Sequence, residues 1–185
     1  MAVYERRAGE WLERRNQAGD GLGRRFRERV GTGPIVDLGC GPGRYLSELG
    51  APVVGLDATA AMLVLARARD RPLLRADLEA LPLADHSVAG LFARHSYLHV
   101  PKHRLPGALG EARRVLRPGG WLFATLIEGA YEGHRLVGDD FPGRFFALYD
   151  VDAVSSALTG AGFVEVAVER VGRGANRDLH VTARR

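Results

Sequence analysis

The sequence is poor in cysteine, in lysine and in long apolar runs, and each shortage carries information. Its 185 residues include one cysteine, Cys40, which excludes an internal disulfide and a metal site built from several thiols. No stretch approaches the roughly 18 apolar residues that a transmembrane helix needs. The first residues, MAVYERRAGEW, carry charges where a signal peptide would be apolar. We therefore expect a cytoplasmic protein without a membrane partner.

Lysine is almost absent, because Lys102 is the only lysine among 26 basic residues and the others are arginine. The basic excess lies at the two ends: residues 1–30 carry +3 and residues 170–185 carry +4, while residues 31–169 carry −3, which gives the net charge of +4. Basic ends can steer polyanions, but solvated arginines on terminal helices are the commoner explanation. A chain of this length most simply forms one domain, over 1–185, with a substantial core.

Three glycines at alternate positions form the most informative stretch. Gly39, Gly41 and Gly43 follow a short apolar strand that begins at Ile35 and contains the acidic residue Asp37. Glycine allows a backbone to turn sharply and to approach a ligand with no side chain between them. A strand, a glycine turn and a helix in this order are typical of the nucleotide-binding crevice in an open α/β sheet.

The pattern acidic-x-Gly-x-Gly-x-Gly resembles motif I of the class I S-adenosylmethionine-dependent methyltransferases, and the chain is similar to their small type 11-like domains. The later run RVLRPGG, which ends at Gly120, also matches that family, and the resemblance extends over 35–127. Alternating strands and helices with a final strand pair predict a doubly wound α/β domain. The resemblance implies the order: a Rossmann-like sheet of seven strands, 3-2-1-4-5-7-6, with strand 7 antiparallel.

The same resemblance implies S-adenosylmethionine as cofactor, S-adenosylhomocysteine as its product, and a set of binding residues. Asp57 ends the second predicted strand, where a carboxylate can accept both ribose hydroxyls. Met62 would cover the adenine, while Asp77 and the backbone N–H of Leu78 would bind its edge. The predicted cofactor site consists of Asp37, Gly39, Cys40, Gly41, Gly43, Asp57, Ala58, Met62, Asp77, Leu78, Ala93 and Arg94.

Candidate catalytic residues follow the fourth predicted strand. They are His95, Tyr97 and His99, of which His99 could equally be a structural histidine. A general base is useful only when the acceptor carries a proton at pH 7. The sequence here does not contain the Asn-Pro-Pro-Tyr run that amino-methylating enzymes for bases and glutamine often have after strand 4. No metal site is expected, because no cluster of acids and histidines has metal-ligand spacing.

Three functions remain open at this point. The first is methyl transfer to oxygen or nitrogen of a small-molecule metabolite by a monomer or homodimer. The second is a methyltransferase that modifies tRNA at a wobble carboxymethyl-uridine, suggested faintly by GRFFALY (143–149) and GANRDLHV (174–181). The third is a non-catalytic, cofactor-binding partner subunit. In each case the helices in 1–30 are expected to form a partial cap and the irregular segment 128–149 a lid.

Overall fold

The structure is a computed structural model that describes residues 2–15, 19–172 and 177–185. Its helices are α1 (Ala2–Arg15), α2 (Leu22–Val30), α3 (Leu46–Leu49), α4 (Ala60–Ala66), α5 (Leu105–Val115) and α6 (Val151–Gly160). Its strands are β1 (Ile35–Leu38), β2 (Val53–Asp57), β3 (Leu73–Arg75), β4 (Val88–Arg94), β5 (Leu116–Ile127), β6 (Glu132–Gly133), β7 (Phe146–Ala147), β8 (Val164–Val171) and β9 (Asp178–Arg184). Short 3-10 turns span Arg67–Arg69 and Tyr97–His99.

Seven of these strands form one sheet in the order β3-β2-β1-β4-β5-β9-β8. Strand β9 is antiparallel to both of its neighbours, whereas the other pairs are parallel. When the separate two-residue pair β6–β7 is left out of the numbering, this order reads 3-2-1-4-5-7-6. The predicted Rossmann-like fold is therefore confirmed.

The sheet is covered on both faces, which explains why its central strands are mostly apolar. In β1, Ile35 packs into the cluster formed with α2 and α3, and the next residue, Val36, packs into the cluster on the opposite face. That second cluster contains the buried side of α5, from Leu105 to Val115, and the buried residues of α6. Parallel strands that are buried on both faces are typical of doubly wound domains.

The ends of three elements are well defined. Aspartate favours the position before a helix, and the Asp150 carboxylate accepts a hydrogen bond of 2.7 Å from the backbone N–H of Ala153 at the start of α6. Helix α4 ends at Ala66 and continues as a 3-10 turn to Arg69. Strand β5 begins at Leu116, which already pairs with Val88 of β4.

Two further segments close the carboxyl edge of the sheet. Helix α1 packs against α4, and the segment 128–149 folds back on itself through the antiparallel pair β6–β7. Residues 16–18 of the predicted first helix and residues 174–176 of the GANRDLHV run lie outside the described residues. Among the helices that the structure describes, none is long and apolar enough to span a membrane.

Candidate active site

A cavity of about 790 Å³ lies at the carboxyl edge of the parallel strands. Its floor contains the ends of β1, β2 and β4, with Asp37, Asp57 and Arg94 on the wall. Its roof is formed by α1 and the segment 128–149, which contribute Tyr4 and Arg144 among other residues. The topology thus brings both ends of the predicted site, the glycine turn and the irregular segment, to one cavity.

The glycine turn has the backbone geometry that its sequence predicts. Gly39, Gly41 and Gly43 have φ angles of +72°, +53° and +77°, which L-residues with side chains rarely adopt. The backbone N–H groups of Gly39 and Cys40 both donate to the carbonyl of Leu56, at 2.7 and 2.9 Å. A Cβ on Gly41 would meet no protein atom within 4 Å, whereas one on Gly39 would lie 2.5 Å from Ser96 Cβ. Gly41 is therefore the position where the backbone itself faces the cavity, with no protein atom in front of it.

Asp57 connects the glycine turn to the start of α4. Its Oδ2 accepts from the backbone N–H of Gly41 at 2.9 Å, and its Oδ1 accepts from that of Thr59 at 2.8 Å. Burial raises the pKa of Asp57, while the hydrogen bonds from Thr59 and Gly41 oppose that rise. The carboxylate thus fixes the turn, and each of its oxygens keeps accepting capacity toward the cavity.

Asp37 lies deeper in the same wall and is almost completely buried. Its Oδ2 atom has no hydrogen-bond partner among the described residues. Burial and the nearby negative charge of Asp57 raise the pKa of Asp37 to about 8. Cys40, the next side chain on this wall, is also buried, and burial raises the pKa of its thiol. Burial therefore favours the electrically neutral form of both groups in the free protein.

The far end of the cavity is lined by Ala58, Met62, Asp77 and Leu78. Met62 is buried, one turn into α4, and offers an apolar surface. Asp77 Oδ1 accepts from the backbone N–H of Glu79 at 3.0 Å, so the carboxylate also shapes its own loop. An apolar surface beside a carboxylate acceptor suits a flat, hydrogen-bonding ring such as adenine.

The roof is tied to the sheet through His99. Phe145 offers only a carbonyl oxygen, 2.6 Å from His99 Nδ1, so Nδ1 must carry the proton. His99 Nε2 then accepts from the hydroxyl of Tyr4 at 2.9 Å, and that hydroxyl accepts from Arg144 Nη1 at 3.2 Å. Burial lowers the pKa of His99 to about 4, which keeps this tautomer neutral. The chain of bonds joins α1, the Tyr97–His99 turn and the segment 128–149.

Aromatic rings surround Arg144 in the roof. Its guanidinium carbon lies 5.1 Å from the ring centre of Trp11 and 4.8 Å from that of Phe146. Arg144 also forms an ion pair with Asp139 and donates from Nε to the carbonyl of Phe141. With the bond to Tyr4, these named hydrogen bonds use three of its five N–H groups. The roof therefore presents a cation that is held rigidly between aromatic walls.

A second polar cluster lies at the end of β4. His95 has a left-handed φ of +55°, and its Nε2 lies 3.1 Å from Oδ1 of Asp178 on β9. Arg94 Nη1 lies 3.2 Å from Asp178 Oδ2 and 2.6 Å from His95 Nε2. Burial lowers the pKa of His95, and its hydrogen bond to Asp178 opposes that shift. His95 is therefore a neutral imidazole on the cavity wall with a carboxylate orienting it.

Most of the predicted site residues line the cavity, but three do not. Gly43, Ala93 and Tyr97 lie behind the wall, and Tyr97 is buried in the core that contains α5. The Tyr97 ring points inward because the short 3-10 turn sends it and His99 in different directions, which periodicity does not reveal. For Tyr97 this placement speaks against contact with an acceptor, although its role stays a prediction.

The wall residues that could not be predicted from the sequence include Asp20, Thr59, Ser96 and Asp178. Asp20 and Asp178 come from opposite ends of the chain, and both lie near Arg94. Nothing local in their sequence marks them, because only the strand order places β9 beside β5. Within the described ranges, no group of acids, histidines and cysteine is arranged to hold a metal ion.

The comparison with known proteins agrees with this geometry. Residues 36–124 match the family described as a methyltransferase domain. The chain is 39% identical over 131 residues to a malonyl-[acyl-carrier protein] O-methyltransferase of Pectobacterium atrosepticum, covering 64% of this chain and 51% of that protein. It is 31% identical over 144 residues to a trans-aconitate 2-methyltransferase of Deinococcus radiodurans, covering 71% and 55%. The chain thus spans about half the length of the curated relatives it matches.

Solved structures show the same fold over nearly the whole chain. An S-adenosylmethionine-dependent methyltransferase of Thermotoga maritima, described as a possible histamine N-methyltransferase, superimposes with a TM-score of 0.72 at 21% identity. That match covers 99% of this chain and 98% of the other. The matched residues 36–124 include the glycine turn, Asp57, Asp77 and the run after β4. The chain therefore carries a domain of the S-adenosylmethionine-dependent methyltransferase family.

Proposed function

We propose that the protein binds S-adenosylmethionine in this cavity and transfers its methyl group to a carboxylate oxygen of a small molecule held beneath the roof. The observation that carries the proposal is the continuity of the cavity. It joins the glycine turn and the two strand-end acids to an aromatic roof that contains Arg144. At about 790 Å³, its volume falls within the usual range for a ligand pocket.

The residues of the free protein fit the cofactor. Asp57 would accept the ribose hydroxyls while it holds the turn, and the bare backbone at Gly41 leaves room for close approach. Asp77 and Met62 would bind the adenine edge and face, and Asp37 would face the charged methionine end. When bound, the cofactor supplies an electrophilic methyl group on a sulfonium. The chain then has to position an acceptor in line with that group and exclude water.

The roof favours an acceptor that needs no base. His99 has its lone pair engaged by the Tyr4 hydroxyl, and burial raises the pKa of Tyr4 itself. A carboxylate oxygen is already deprotonated at pH 7, so it can accept a methyl group without proton removal. Arg144 points into the same cavity and supplies positive charge with planar N–H donors, which suit a carboxylate. The names of the relatives, malonyl and trans-aconitate, describe carboxylic acids as well.

We propose in addition that α1 and the segment 128–149 act as a lid over the acceptor. Tyr4 of α1 stacks on Phe141 of the segment with ring centres 6.4 Å apart, and Trp11 meets the same ring edge-on at 5.3 Å. These contacts cover the cavity without a large separate cap domain. A lid of this kind would have to open for the acceptor to enter and would exclude water once closed.

Nothing in the described residues favours the tRNA alternative. A continuous basic stripe between the two ends of the chain would support it, but α1 lies on the cavity roof while β9 ends at the opposite edge of the sheet. Near that end, Arg184 pairs with Glu165, and Arg185 donates to the backbone carbonyl of Leu116. These arginines are thus engaged within the protein.

The test uses methyl-labelled S-adenosylmethionine with three separate acceptors: a malonyl thioester, trans-aconitate and histamine. We expect label in an acid and expect mild alkali to release it as methanol, because methyl esters hydrolyse and N-methyl groups do not. Total tRNA, incubated in parallel, should stay unlabelled. Alkali-stable label on an amine, or label in tRNA, would overturn the carboxylate proposal. Cofactor binding with no transfer to acids, amines, protein, metabolite extract or tRNA would instead favour a non-catalytic subunit.

A further inference from the structure

We propose that Asp37 is a proton-exchanging counterion of the cofactor, protonated in the free protein and deprotonated when the cationic methionine end of S-adenosylmethionine is bound. The inference rests on the proposed function, since it requires the cofactor to occupy this cavity. It adds that binding itself releases a proton. It also implies that the affinity for the sulfonium cofactor, relative to that for its thioether product, depends on pH.

The first support is the position of the Asp37 carboxyl group. Only 2% of the residue is exposed, yet it belongs to the wall of the cavity. Its Oδ2 atom is buried and has no hydrogen-bond partner among the described residues. Asp57, by contrast, accepts two backbone N–H bonds. A buried carboxylate without donors is costly, so the free protein favours the neutral acid at Asp37.

The second support is the set of groups packed around that carboxyl. In the sheet, Asp37 lies opposite Gly55 on β2 and Phe92 on β4, neither of which carries charge. The titratable groups that face it are Asp57, at the end of β2, and the Cys40 thiol of the glycine turn.

The nearest positive side chain along β4, Arg94, already pairs with Asp178. Burial and the negative charge of Asp57 together raise the pKa of Asp37 to about 8.

The third step is the charge of the two ligands. Both ligands carry an ammonium and a carboxylate on their amino-acid end, and S-adenosylmethionine carries a sulfonium in addition. Positive charge beside a buried carboxyl favours its ionised form and lowers its pKa. The cofactor should therefore expel the Asp37 proton to the solvent more completely than the product does. No bond other than this O–H bond changes.

The sign of the pH dependence follows from linkage. Below pH 8 the free protein must lose a proton to bind, so the affinity for S-adenosylmethionine rises with pH and levels off above about 8. The expected slope approaches ~10-fold per pH unit, with about 0.9 proton released at pH 7. The product should show a shallower slope. Falling pH should then favour retention of the product over binding of fresh cofactor.

The experiment is isothermal titration calorimetry of the full chain with S-adenosylmethionine and, separately, S-adenosylhomocysteine. Each titration is run at pH 7 in phosphate and in Tris, whose ionisation enthalpies differ, so the difference in heat counts the protons released. Affinities are then measured from pH 6 to pH 9. Both ligands carry the same amino group, so the difference between them isolates the effect of the sulfonium.

Asp37→Asn and Asp77→Asn form the matched pair of variants. Asp37→Asn should abolish the extra proton release and flatten the pH dependence, whereas Asp77→Asn should weaken binding and keep the release. Two outcomes would overturn the inference and leave the proposed cofactor binding intact. One is equal proton release with both ligands in the unmodified protein, and the other is extra proton release that persists in Asp37→Asn. The first of these outcomes is decisive even if Asp37→Asn fails to fold. Failure of both ligands to bind would instead refute the proposed function.

Discussion

Replacing Gly41 by alanine should separate ligand binding from folding. In the free protein a Cβ at this position meets no protein atom within 4 Å, so the new methyl group causes no clash. It projects instead from the bare stretch of the cavity wall where the cofactor is expected to approach. Valine is a poorer choice, because a β-branched residue at a φ of +53° is a genuine conformational outlier.

The cost to stability comes from the backbone alone. A left-handed conformation costs an L-residue about 1–2 kcal/mol relative to glycine. For a domain of this size that corresponds to a fall in Tm of roughly 2–8 °C. The cofactor should bind at least ~10-fold more weakly, since a loss of about 1.4 kcal/mol is enough for that factor. Gly39→Ala should behave differently, because its Cβ would lie 2.5 Å from Ser96 Cβ and the fold itself would suffer.

Thermal unfolding and calorimetric titration with S-adenosylhomocysteine measure the two effects separately. Gly107→Ala is the matched control, because it adds the same methyl group to an exposed helical position with no protein atom within 4 Å. It should leave binding unchanged and raise stability by up to about 1 kcal/mol. If Gly41→Ala binds the ligand as tightly as the unmodified protein, the glycine turn is ordinary loop architecture and the assignment of the cavity fails.

Three further predictions concern the floor and the roof. Asp57→Ala should weaken binding of S-adenosylhomocysteine by roughly 1–3 kcal/mol in calorimetry, because ribose hydroxyls and the Gly41 N–H lose an acceptor; an unchanged affinity in a folded variant would remove Asp57 from the site. Because burial lowers the pKa of His99 to about 4, the neutral imidazole makes its full contribution to the free energy of unfolding above about pH 6.5. That contribution, roughly 2–4 kcal/mol, is lost as pH falls toward 4. Denaturant unfolding of the unmodified protein and of His99→Gln is compared at pH 7 and pH 5, so that the opposite contribution of buried Asp37, present in both, cancels. On going from pH 7 to pH 5 the unmodified protein should lose about 2 kcal/mol relative to the variant, and equal changes in both proteins would contradict the assignment. Tyr4→Phe removes the hydroxyl that joins α1 to His99, so hydrogen exchange should speed up in residues 2–15 and 128–149 and stay unchanged in β1; no change in α1 would refute the roof contact.

The parts of the site that could be predicted from sequence are those encoded within one short stretch. The glycine turn is such a case, since an acid and three glycines at fixed spacing specify both its φ angles and its contact with β2. Asp57 and Asp77 follow the same logic, because strand ends in a parallel sheet meet at one edge. Asp57, Asp77 and two of the three glycines, Gly39 and Gly41, line the cavity, whereas Gly43 lies behind its wall.

The rest of the site depends on contacts between distant parts of the chain. Asp178 reaches His95 only because β9 inserts beside β5, and Asp20 reaches Arg94 only because α2 packs on the same side. The role of His99 also changes with context. In the sequence it is a candidate base, but its lone pair is held by Tyr4, 95 positions earlier in the chain. Local patterns carry no information about such pairings.

The most direct test of the account is a crystal structure of the protein with S-adenosylhomocysteine. We expect the ribose hydroxyls within hydrogen-bonding distance of the Asp57 carboxylate and the adenine beside Asp77 and Met62. The sulfur should face the roof, toward Tyr4 and Arg144. A ligand bound outside this cavity, or bound within it with its sulfur turned away from the roof, would contradict the account.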